Sequence, residues 1–130
     1  QLLGLLSMIL PCIASGNRVV AVPSLKAALI VADFYQLLDT SDVPGGVINL
    51  VTGVPSELAT VLAAHDDVAA IWAVGPADEC EQIKKESAGN LKSVWTSDGK
   101  SPDWYDSQAE GSSWLERATQ VKNIWVPYGE

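Results

Sequence analysis

Four short apolar segments alternate with stretches of helical pattern, and this alternation constrains the fold more than any other feature of the sequence. The segments run from Asn17 to Val22, Val47 to Val51, Val68 to Val74 and Leu91 to Thr96. A strand–helix–strand order of this kind predicts parallel strands joined by right-handed crossovers. We therefore expect an α/β fold, with an open, mainly parallel sheet that is covered by helices on both faces.

The stretches between these segments carry apolar residues at helical spacing and begin or end at recognisable residues. Gly16 is expected to end the first helix, which Pro11 should kink or split. Ser24 and Ser56 are expected to cap the second and third helices, and Pro76 precedes the fourth. The predicted helices are Leu2 to Ser15, Leu25 to Leu38, Ser56 to Ala64 and Ala77 to Ser87.

The pattern changes after Thr96. Ser97 to Ser113 is rich in Ser, Asp and Gly and is predicted to be a long loop. Ser113 should then cap a short helix from Trp114 to Thr119, and residues 120–127 should form a last strand. Neither side of that strand is clearly polar, so both of its faces are expected to be covered.

The tryptophans divide into two groups. Trp72, Trp95 and Trp125 lie in predicted strands and are expected in the core. Trp104 and Tyr105 lie in the polar loop, which leaves two interpretations open. They either form an exposed contact surface or fold back and shield a sheet edge.

Composition excludes several functions. The formal net charge of −8 argues against nucleic acid and anionic membrane surfaces as partners. Cys12, Cys80 and His65 are too few for a structural zinc site, so no metal is expected. Two cysteines within apolar helical patterns are typical of free thiols in a reducing compartment, which favours the cytoplasm. The apolar run of residues 2–14 is shorter than a membrane span, and the abrupt start suggests a piece of a longer chain.

Several short motifs resemble the nicotinamide-binding domain of the aldehyde dehydrogenase superfamily. Residues 16–24, G-N-R-V-V-A-V-P-S, are similar to G-N-T-V-V-L-K-P-S in that family, and residues 43–53 resemble its P-P-G-V-x-N-V-V-x-G turn and strand. Residues 62–75 resemble L-x-x-H-P-x-V-x-x-I-x-F-T-G. Residues 90–94 and 99–102 resemble N-L-K-R-V and G-K-S-P. The resemblance implies a Rossmann-like domain over residues 1–102.

The end of the chain resembles a different part of the same family. L-E-R-A-T-Q-V-K-N-I-W-V, residues 115–126, is similar to the last strand of these enzymes, which belongs to their oligomerisation element. Residues 103–118 would then be a loop and short helix, and residues 119–130 an oligomerisation-type strand. The catalytic domain that should lie between is missing here. The chain thus resembles the truncated, non-catalytic C-terminal module of family 16 aldehyde dehydrogenases.

The chemistry of the family needs a cysteine nucleophile and a glutamate base. Neither Cys12 nor Cys80 corresponds to the nucleophile, so no catalytic residue is assigned. The glutamate of the E-L-G-G motif corresponds to the shortened stretch from Thr96 to Gly99. There Asp98 is either a shorter carboxylate in the same role or, as is commoner beside Gly, a turn residue.

The cofactor contacts of the family are also altered. The lysine and glutamate of K-P-S-E, which hold the adenosine ribose, correspond to Val22 and Leu25. Leu58 takes the place of a small residue beside the adenine, and Pro76 removes an N–H donor where a pyrophosphate would bind. Four residues of the usual set remain as vestigial cofactor-binding candidates: Pro23, Ser24, Gly53 and Gly75. We expect no bound cofactor, or weak binding of NAD.

His65 follows the third helix, and its imidazole could belong to a hydrolase site or cap the helix. The absence of a G-x-S-x-G motif favours the cap.

Three functions remain at this stage. The first is a non-catalytic module that associates with protein, whether its own parent chain, a second copy or another protein. The second is a supporting part of an NAD-dependent aldehyde oxidoreductase. The third is a vestigial nucleotide sensor.

Overall fold

The computed structural model describes residues 2–129 and has helices and strands in regular alternation up to residue 96. The α-helices are α1 (Leu2–Ala14), α2 (Ala28–Asp39), α3 (Pro55–Ala64), α4 (Ala77–Glu86) and α5 (Ser112–Arg117). The strands are β1 (Val19–Ala21), β2 (Ile48–Leu50), β3 (Ala70–Ala73) and β4 (Ser93–Thr96). Short 3₁₀ turns cover Leu25–Ala27, Ser87–Gly89 and Ser107–Glu110.

The strands hydrogen-bond in two parallel pairs. β1 pairs with β2, with Val19 opposite Ile48, and β3 pairs with β4, with Ala73 opposite Thr96. In each pair the connection is a crossover helix, α2 or α4, as parallel pairing requires. The predicted α/β fold with parallel strands is confirmed.

The first helix ends as the sequence predicts. Gly16 has φ +80° and its N–H donates to the carbonyl of Ile13, so the left-handed residue at the end of α1 is a glycine. Asn17 then donates from its side chain to the carbonyls of Cys12 and Ala118, which fixes the start of β1 against the end of α5. Pro11 lies inside α1 without splitting it.

The predicted serine caps are wrong. Val54 is the N-cap of α3, with Pro55 at the first helical position, so Ser56 lies inside the helix. Ser24 precedes a 3₁₀ turn and accepts the Ala27 N–H through its carbonyl, while α5 begins at Ser112 after Gly111. α3 and α5 begin one or two residues before the predicted starts, and the observed N-cap residues, Val54 and Gly111, make no side-chain capping hydrogen bond.

A tryptophan cluster lies at the centre of the second half of the chain. Trp114 of α5 is 7% exposed, and its ring centroid lies 5.3 Å from Trp72, 4.9 Å from Trp95 and 5.9 Å from Trp104. Trp72 and Trp95 are register partners, so they stand on one face of the β3–β4 pair. α5 therefore covers that face. Trp72 and Trp95 were expected in the core, and in the structure they are half-buried beneath Trp114.

Trp104 and Tyr105 separate: Trp104 folds back, but onto helices α1 and α5 and not onto a sheet edge, and Tyr105 is exposed, so its role as a contact surface stays a prediction. The Trp104 indole folds back against α1, where its Nε1 lies 2.7 Å from the position that a Cβ on Gly4 would take. Tyr105 is 91% exposed. The loop thus shields the protein with one aromatic ring and presents the other to solvent.

The last predicted strand does not form. Residues 120–129, here called the tail, carry no strand or helix, and Trp125, expected in the core, is 92% exposed. A strand needs a partner for its peptide groups, and in the described part of the chain the tail pairs with none of the four strands. No helix in the described residues has the length and apolar character needed to cross a membrane.

Candidate functional site

The four cofactor-binding candidates all follow the carboxyl ends of strands. Pro23 and Ser24 follow β1, and Gly53 follows the neighbouring β2, so these three residues share one end of the first strand pair. Gly75 follows β3 and lies at the corresponding end of the second pair. In open α/β sheets this end is where ligands bind.

The first pair presents apolar side chains around its candidates. Pro23 is buried and Ser24 is exposed. Val22, on one side, is half-buried, and Leu25, on the other, is 64% exposed. Both side chains are apolar, so neither can bind a ribose or a phosphate, and the nearest charged residue along the chain is the exposed Lys26.

Leu58 lies directly over Gly53. Its Cδ1 atom is 2.9 Å from the position that a Cβ on Gly53 would take, so a side chain at residue 53 would force the end of the Leu58 side chain to shift. The absence of a side chain on Gly53 thus lets Leu58 pack closely at the start of α3. This contact gives the glycine a structural role that is independent of any ligand.

The space between α3 and α4 is small. It has a volume of about 60 Å³ and is lined by Ser56, Ala59, Thr60, Glu79, Gln82 and Ile83. Pockets for drug-sized ligands and cofactors run from about 300 to 1,000 Å³. In this conformation the two helices leave room for about one water molecule or a few, and not for a nucleotide base.

The peptide groups of Gly75 are already engaged by β4 and its following turn. The Gly75 N–H donates to Ser97 Oγ at 3.2 Å, and its carbonyl accepts the Gly99 N–H at 3.1 Å. The buried thiol of Cys80 also approaches that carbonyl at 3.6 Å. A phosphate would have to compete with Ser97 for the amide.

The start of α4 is acidic. Asp78 and Glu79 lie in its first turn, after Pro76 as N-cap. Glu79 Oε2 is 3.3 Å from the position of a Cβ on Gly75, so a carboxylate stands beside the candidate glycine. Carboxylates favour the positive end of the helix dipole, which is the interaction that a bound phosphate would otherwise make.

Asp98 is a turn residue, as one of the two interpretations predicts. It has φ +49° and is followed by Gly99 with φ +80°, two left-handed residues in succession. Lys84 Nζ donates to its carboxylate at 2.5 Å and Thr96 Oγ1 at 2.7 Å. The bond from Lys84 lowers the pKa of the Asp98 carboxyl below its ordinary value of 3.8, and the bond from Thr96 adds to the effect.

A general base works best when its pKa lies near the operating pH. The pKa of Asp98 is moved in the opposite direction, and its accepting oxygen is occupied by two donors. The carboxylate is suited to holding the β4–α4 corner together.

The remaining candidates are accounted for by packing. Cys80 is fully buried, and Cys12 is half-buried with a pKa raised by that burial, which disfavours the reactive thiolate. His65 is the C-cap of α3, as favoured from the sequence, and its Nδ1 accepts the Asp67 N–H at 3.2 Å. No group of three or more metal-ligating side chains occurs among residues 2–129.

Sequence reasoning missed Ser97, Glu79 and Lys84, the three side chains that engage Gly75 and Asp98. One signal was available for Ser97. Parallel neighbouring strands end at the same level, so the register of Ala73 with Thr96 places the residues after β4 beside Gly75. The Lys84–Asp98 pair had no comparable signal, because it joins residues of two elements through side-chain directions.

The chain matches the model of the aldehyde dehydrogenase family over residues 2–119. It is 38% identical over 93 residues to (Z)-2-((N-methylformamido)methylene)-5-hydroxybutyrolactone dehydrogenase of Acinetobacter baylyi, which covers 71% of this chain and 19% of the relative. It is 37% identical over 86 residues to 2-aminomuconic semialdehyde dehydrogenase of Mus musculus, covering 66% and 18%.

A solved structure gives the same result for the fold. The aldehyde dehydrogenase of Bartonella henselae superposes on 71% of this chain with a TM-score of 0.66 and 29% identity. The matched part is 19% of that protein. This chain thus spans about a fifth of the length of the proteins it is similar to.

Proposed function

The chain belongs to the aldehyde dehydrogenase family, and from that premise we propose that it is a non-catalytic module that acts by associating with protein. Its setting is a larger two-module chain of the family 16 type. The family is named for aldehyde dehydrogenation and the relatives are named dehydrogenases, so the chemistry that we propose for the parent chain is the oxidation of an aldehyde. In this module the corresponding groups serve the fold.

The observation that carries this proposal is the arrangement at the ends of β3 and β4. The Gly75 amide donates to Ser97, a carboxylate of Glu79 stands beside it, and Asp98 is paired with Lys84. A nucleotide phosphate brought to this place would meet negative charge and an occupied donor. A substrate proton would meet a carboxylate of lowered pKa.

The experiment is calorimetry of NAD and NADH with the 130-residue chain, together with an assay of aldehyde-dependent NADH formation. We expect no saturable heat in the micromolar range and no turnover. A Glu79→Gln variant is the matched control, because it removes the charge beside Gly75 and keeps the size of the side chain. Saturable binding of NAD by the unaltered chain near micromolar concentration would contradict the proposal.

The association is tested separately, by light scattering of the chain alone and mixed with the rest of its parent protein. We expect a concentration-dependent complex in at least one of these samples. A strict monomer with no affinity for neighbouring modules would count against an association role.

A second candidate function is support of an active aldehyde dehydrogenase module in the same parent chain. The observation that favours it is that this chain covers about a fifth of catalytically named relatives. Aldehyde turnover by the parent, measured with and without residues 1–130, separates the two. A large loss of kcat on removal favours support, whereas unchanged kcat favours a separate association role.

The third candidate, a vestigial nucleotide sensor, rests on Ser24, Gly53 and Gly75 and has the weakest support. The Leu58 side chain lies over Gly53, and the Gly75 N–H already donates to Ser97 Oγ. The same calorimetry tests it.

The free thiols of Cys12 and Cys80 support a reducing compartment, and we propose the cytoplasm. Fractionation of cells that express the parent protein tests this.

A further inference from the structure

We propose that the tail, residues 120–129, folds back within its own chain as a third parallel strand on the open edge of β2, with the Trp125 ring in the groove between α2 and β2. This folded-back state exchanges with the exposed tail that the structure shows. The contact lies within one chain, so the inference goes beyond the proposed association function and does not depend on it. The groove is lined by Val31, Ala32, Tyr35, Leu50 and Thr52.

The tail carries large apolar side chains that the rest of the chain leaves uncovered. Their exposed fractions are Val121 90%, Ile124 83%, Trp125 92%, Val126 65% and Tyr128 99%. β-branched and aromatic residues favour paired, half-buried strands. Contact of these side chains with water is unfavourable, so a conformation that covers them and lies within reach of the tail is favoured.

β2 has an outer edge to which no strand pairs in the described part of the chain. The Val47 carbonyl and the Val51 N–H both bond to β1, so the peptide groups of the odd-numbered residues of β2 face β1. By alternation, the peptide groups of Ile48 and Leu50 point to the outer edge. An unpaired edge of this kind is a template for an added strand.

The tail begins close enough to reach this edge. The Ala118 carbonyl accepts from Asn17 Nδ2 at 2.8 Å, and Asn17 lies two residues before β1. Neighbouring strands lie about 4.8 Å apart, so a strand on the outer side of β2 would be about 10 Å from β1. Residues 119–123, when extended, span about 16 Å, which covers this distance and the length of the Asn17 side chain. Residues 124–128 can then lie beside β2.

The direction of the added strand follows from where the tail begins. Asn17 lies at the amino end of β1, and β1 and β2 are parallel, so the amino ends of both strands lie at the same level. A tail that starts at this level and runs along β2 is therefore parallel to it.

Pro127 determines which tail residues bond to β2. Proline has no N–H, so in an edge strand its peptide nitrogen faces away from the neighbouring strand, and the peptide groups of Val126 then face β2. In a parallel pair, a residue that bonds to its neighbour lies opposite one that bonds away, as Val19 lies opposite Ile48, and the two side chains share a face. Trp125, one residue from Val126, therefore lies on the face of the even-numbered residues of β2.

This face of β2 is the one that borders the groove, since Leu50 and Thr52 line it together with three residues of α2. The groove has a volume of about 540 Å³, enough for an indole ring. The opposite face of the added strand carries Ile124 and Val126, beside Val51, which is 38% exposed. Both faces of the tail thus gain apolar neighbours.

Two further features favour the groove of the tail's own chain. The tail contains Lys122 and no acidic residue, whereas α2 contains Asp33 and Asp39 and no basic one, so their charges are complementary. A segment joined to its site by a short flexible stretch is present there at an effective concentration of about millimolar, so a weak contact is populated. Closure also covers an edge that could otherwise pair with other chains.

The test is NMR of the 130-residue chain with a nitroxide spin label attached at Tyr128→Cys. The same chain carries Cys12→Ala, while Cys80 is fully buried and stays unlabelled. We expect paramagnetic broadening of the amide signals of Leu50 and Tyr35 that is strong relative to the signals of α4, which lies in the second half of the fold.

Four substitutions separate the groove contact from the strand pairing. Trp125→Asp and Ala32→Arg each change an exposed residue, and each should reduce the broadening in the groove about tenfold. Ile124→Pro removes an N–H that faces β2 and should do the same, whereas Asn123→Pro removes one that faces away and should leave the broadening unchanged. Tyr105→Asp is the matched control, because it changes an aromatic residue that is 91% exposed outside the tail. Circular dichroism confirms that each variant is folded.

The inference would be overturned by the absence of selective broadening in the groove, or by broadening that Trp125→Asp and Ala32→Arg leave unchanged. Equal effects of Ile124→Pro and Asn123→Pro would contradict the parallel pairing on which it rests. A mixture of spin-labelled chain with isotope-labelled chain that lacks the nitroxide detects contact between copies. Full broadening in that mixture would also overturn the inference. Each of these outcomes leaves the association function to be decided by the light-scattering experiment.

Discussion

The ammonium of Lys92 lies 2.5 Å from the carbonyl oxygen of Ala63, so the residue that leads into β4 holds the last turn of α3. The same ammonium donates to the carbonyl of His65 at 2.7 Å. The last carbonyls of a helix have no partner within the helix and carry its negative dipole end. One lysine thus satisfies two of these groups and connects two elements that are distant in sequence.

Lys92→Met should reduce the free energy of unfolding by about 1–3 kcal/mol, because it removes charged hydrogen bonds and keeps the aliphatic part of the side chain. Urea denaturation measures this change. Lys85→Met, at an exposed position of α4, is the control and should change stability by less than about 0.5 kcal/mol. Equal effects of the two substitutions would show that Lys92 does not act as a helix cap.

Trp114→Ala should be the most destabilising single substitution of a tryptophan, by about 3–5 kcal/mol. Its ring is 7% exposed and packs on three other indoles, so truncation leaves a cavity under α5. Trp125→Ala removes an identical side chain that is 92% exposed, and should stay within about 0.5 kcal/mol of the unaltered chain when both are measured as monomers. Thermal and urea unfolding compare the two directly.

Gly53→Ala should destabilise the chain by about 1–3 kcal/mol, because the new methyl group would lie 2.9 Å from Leu58 Cδ1. Adding Leu58→Ala removes the clash, so the double variant should lose less stability than the sum of the two single ones. Gly45→Ala is the control, since no atom lies within 4 Å of its Cβ position. Strict additivity of Gly53→Ala and Leu58→Ala would contradict the contact.

The stability contribution of the Lys84–Asp98 pair should depend on pH in a defined direction. The folded-state pKa of Asp98 is lowered below 3.8, so the pair stabilises the fold above that value and its contribution is lost as the pH falls through the lower folded-state pKa. The difference in stability between the unaltered chain and Asp98→Asn should therefore shrink in strongly acidic solution. Asn is the appropriate replacement because it tolerates the φ of +49° at this position.

A carbon-detected NMR titration of the Asp98 carboxyl group measures the same property without unfolding. We expect a pKa below 3.8 in the unaltered chain and a rise towards that value in Lys84→Met. Since the pair is exposed to solvent, salt should reduce the difference. A pKa that Lys84→Met leaves unchanged would show that Lys84 is not its cause.

Much of the fold follows from local patterns. The four strands lie within the predicted segments, the helices between them differ from the predicted ones by at most three residues at either end, and Gly16 ends α1 with the left-handed conformation that glycine permits. Strand bounds are shorter than the apolar runs, because pairing needs a neighbouring edge as well as β-propensity. Ser56 shows the limit of a local rule, since the helix it was expected to cap begins one residue earlier, at Pro55.

The candidate site was less predictable than the fold. Its backbone positions, the ends of the strands, could be read from the sequence, and so could the change from charged family residues to Val22 and Leu25. The level at which parallel strands end signals only that the residues after β4 lie near Gly75; the hydrogen bond from the Gly75 N–H to Ser97 depends on the exact register of β3 against β4. The contact of Leu58 with Gly53 likewise depends on how α3 lies on the end of β2.

The sequence by itself determined the α/β class, the order of the elements and the family to which the chain belongs. These properties follow from hydrophobic periodicity, turn residues and short motifs, each of which involves only a few neighbouring residues. The tertiary structure alone decided that Trp104 packs inward while Trp125 is exposed, and that Asp98 is paired with Lys84. An apolar side chain is buried only where another element covers it, and a carboxylate changes its pKa only where a donor reaches it, so both depend on which distant parts of the chain meet.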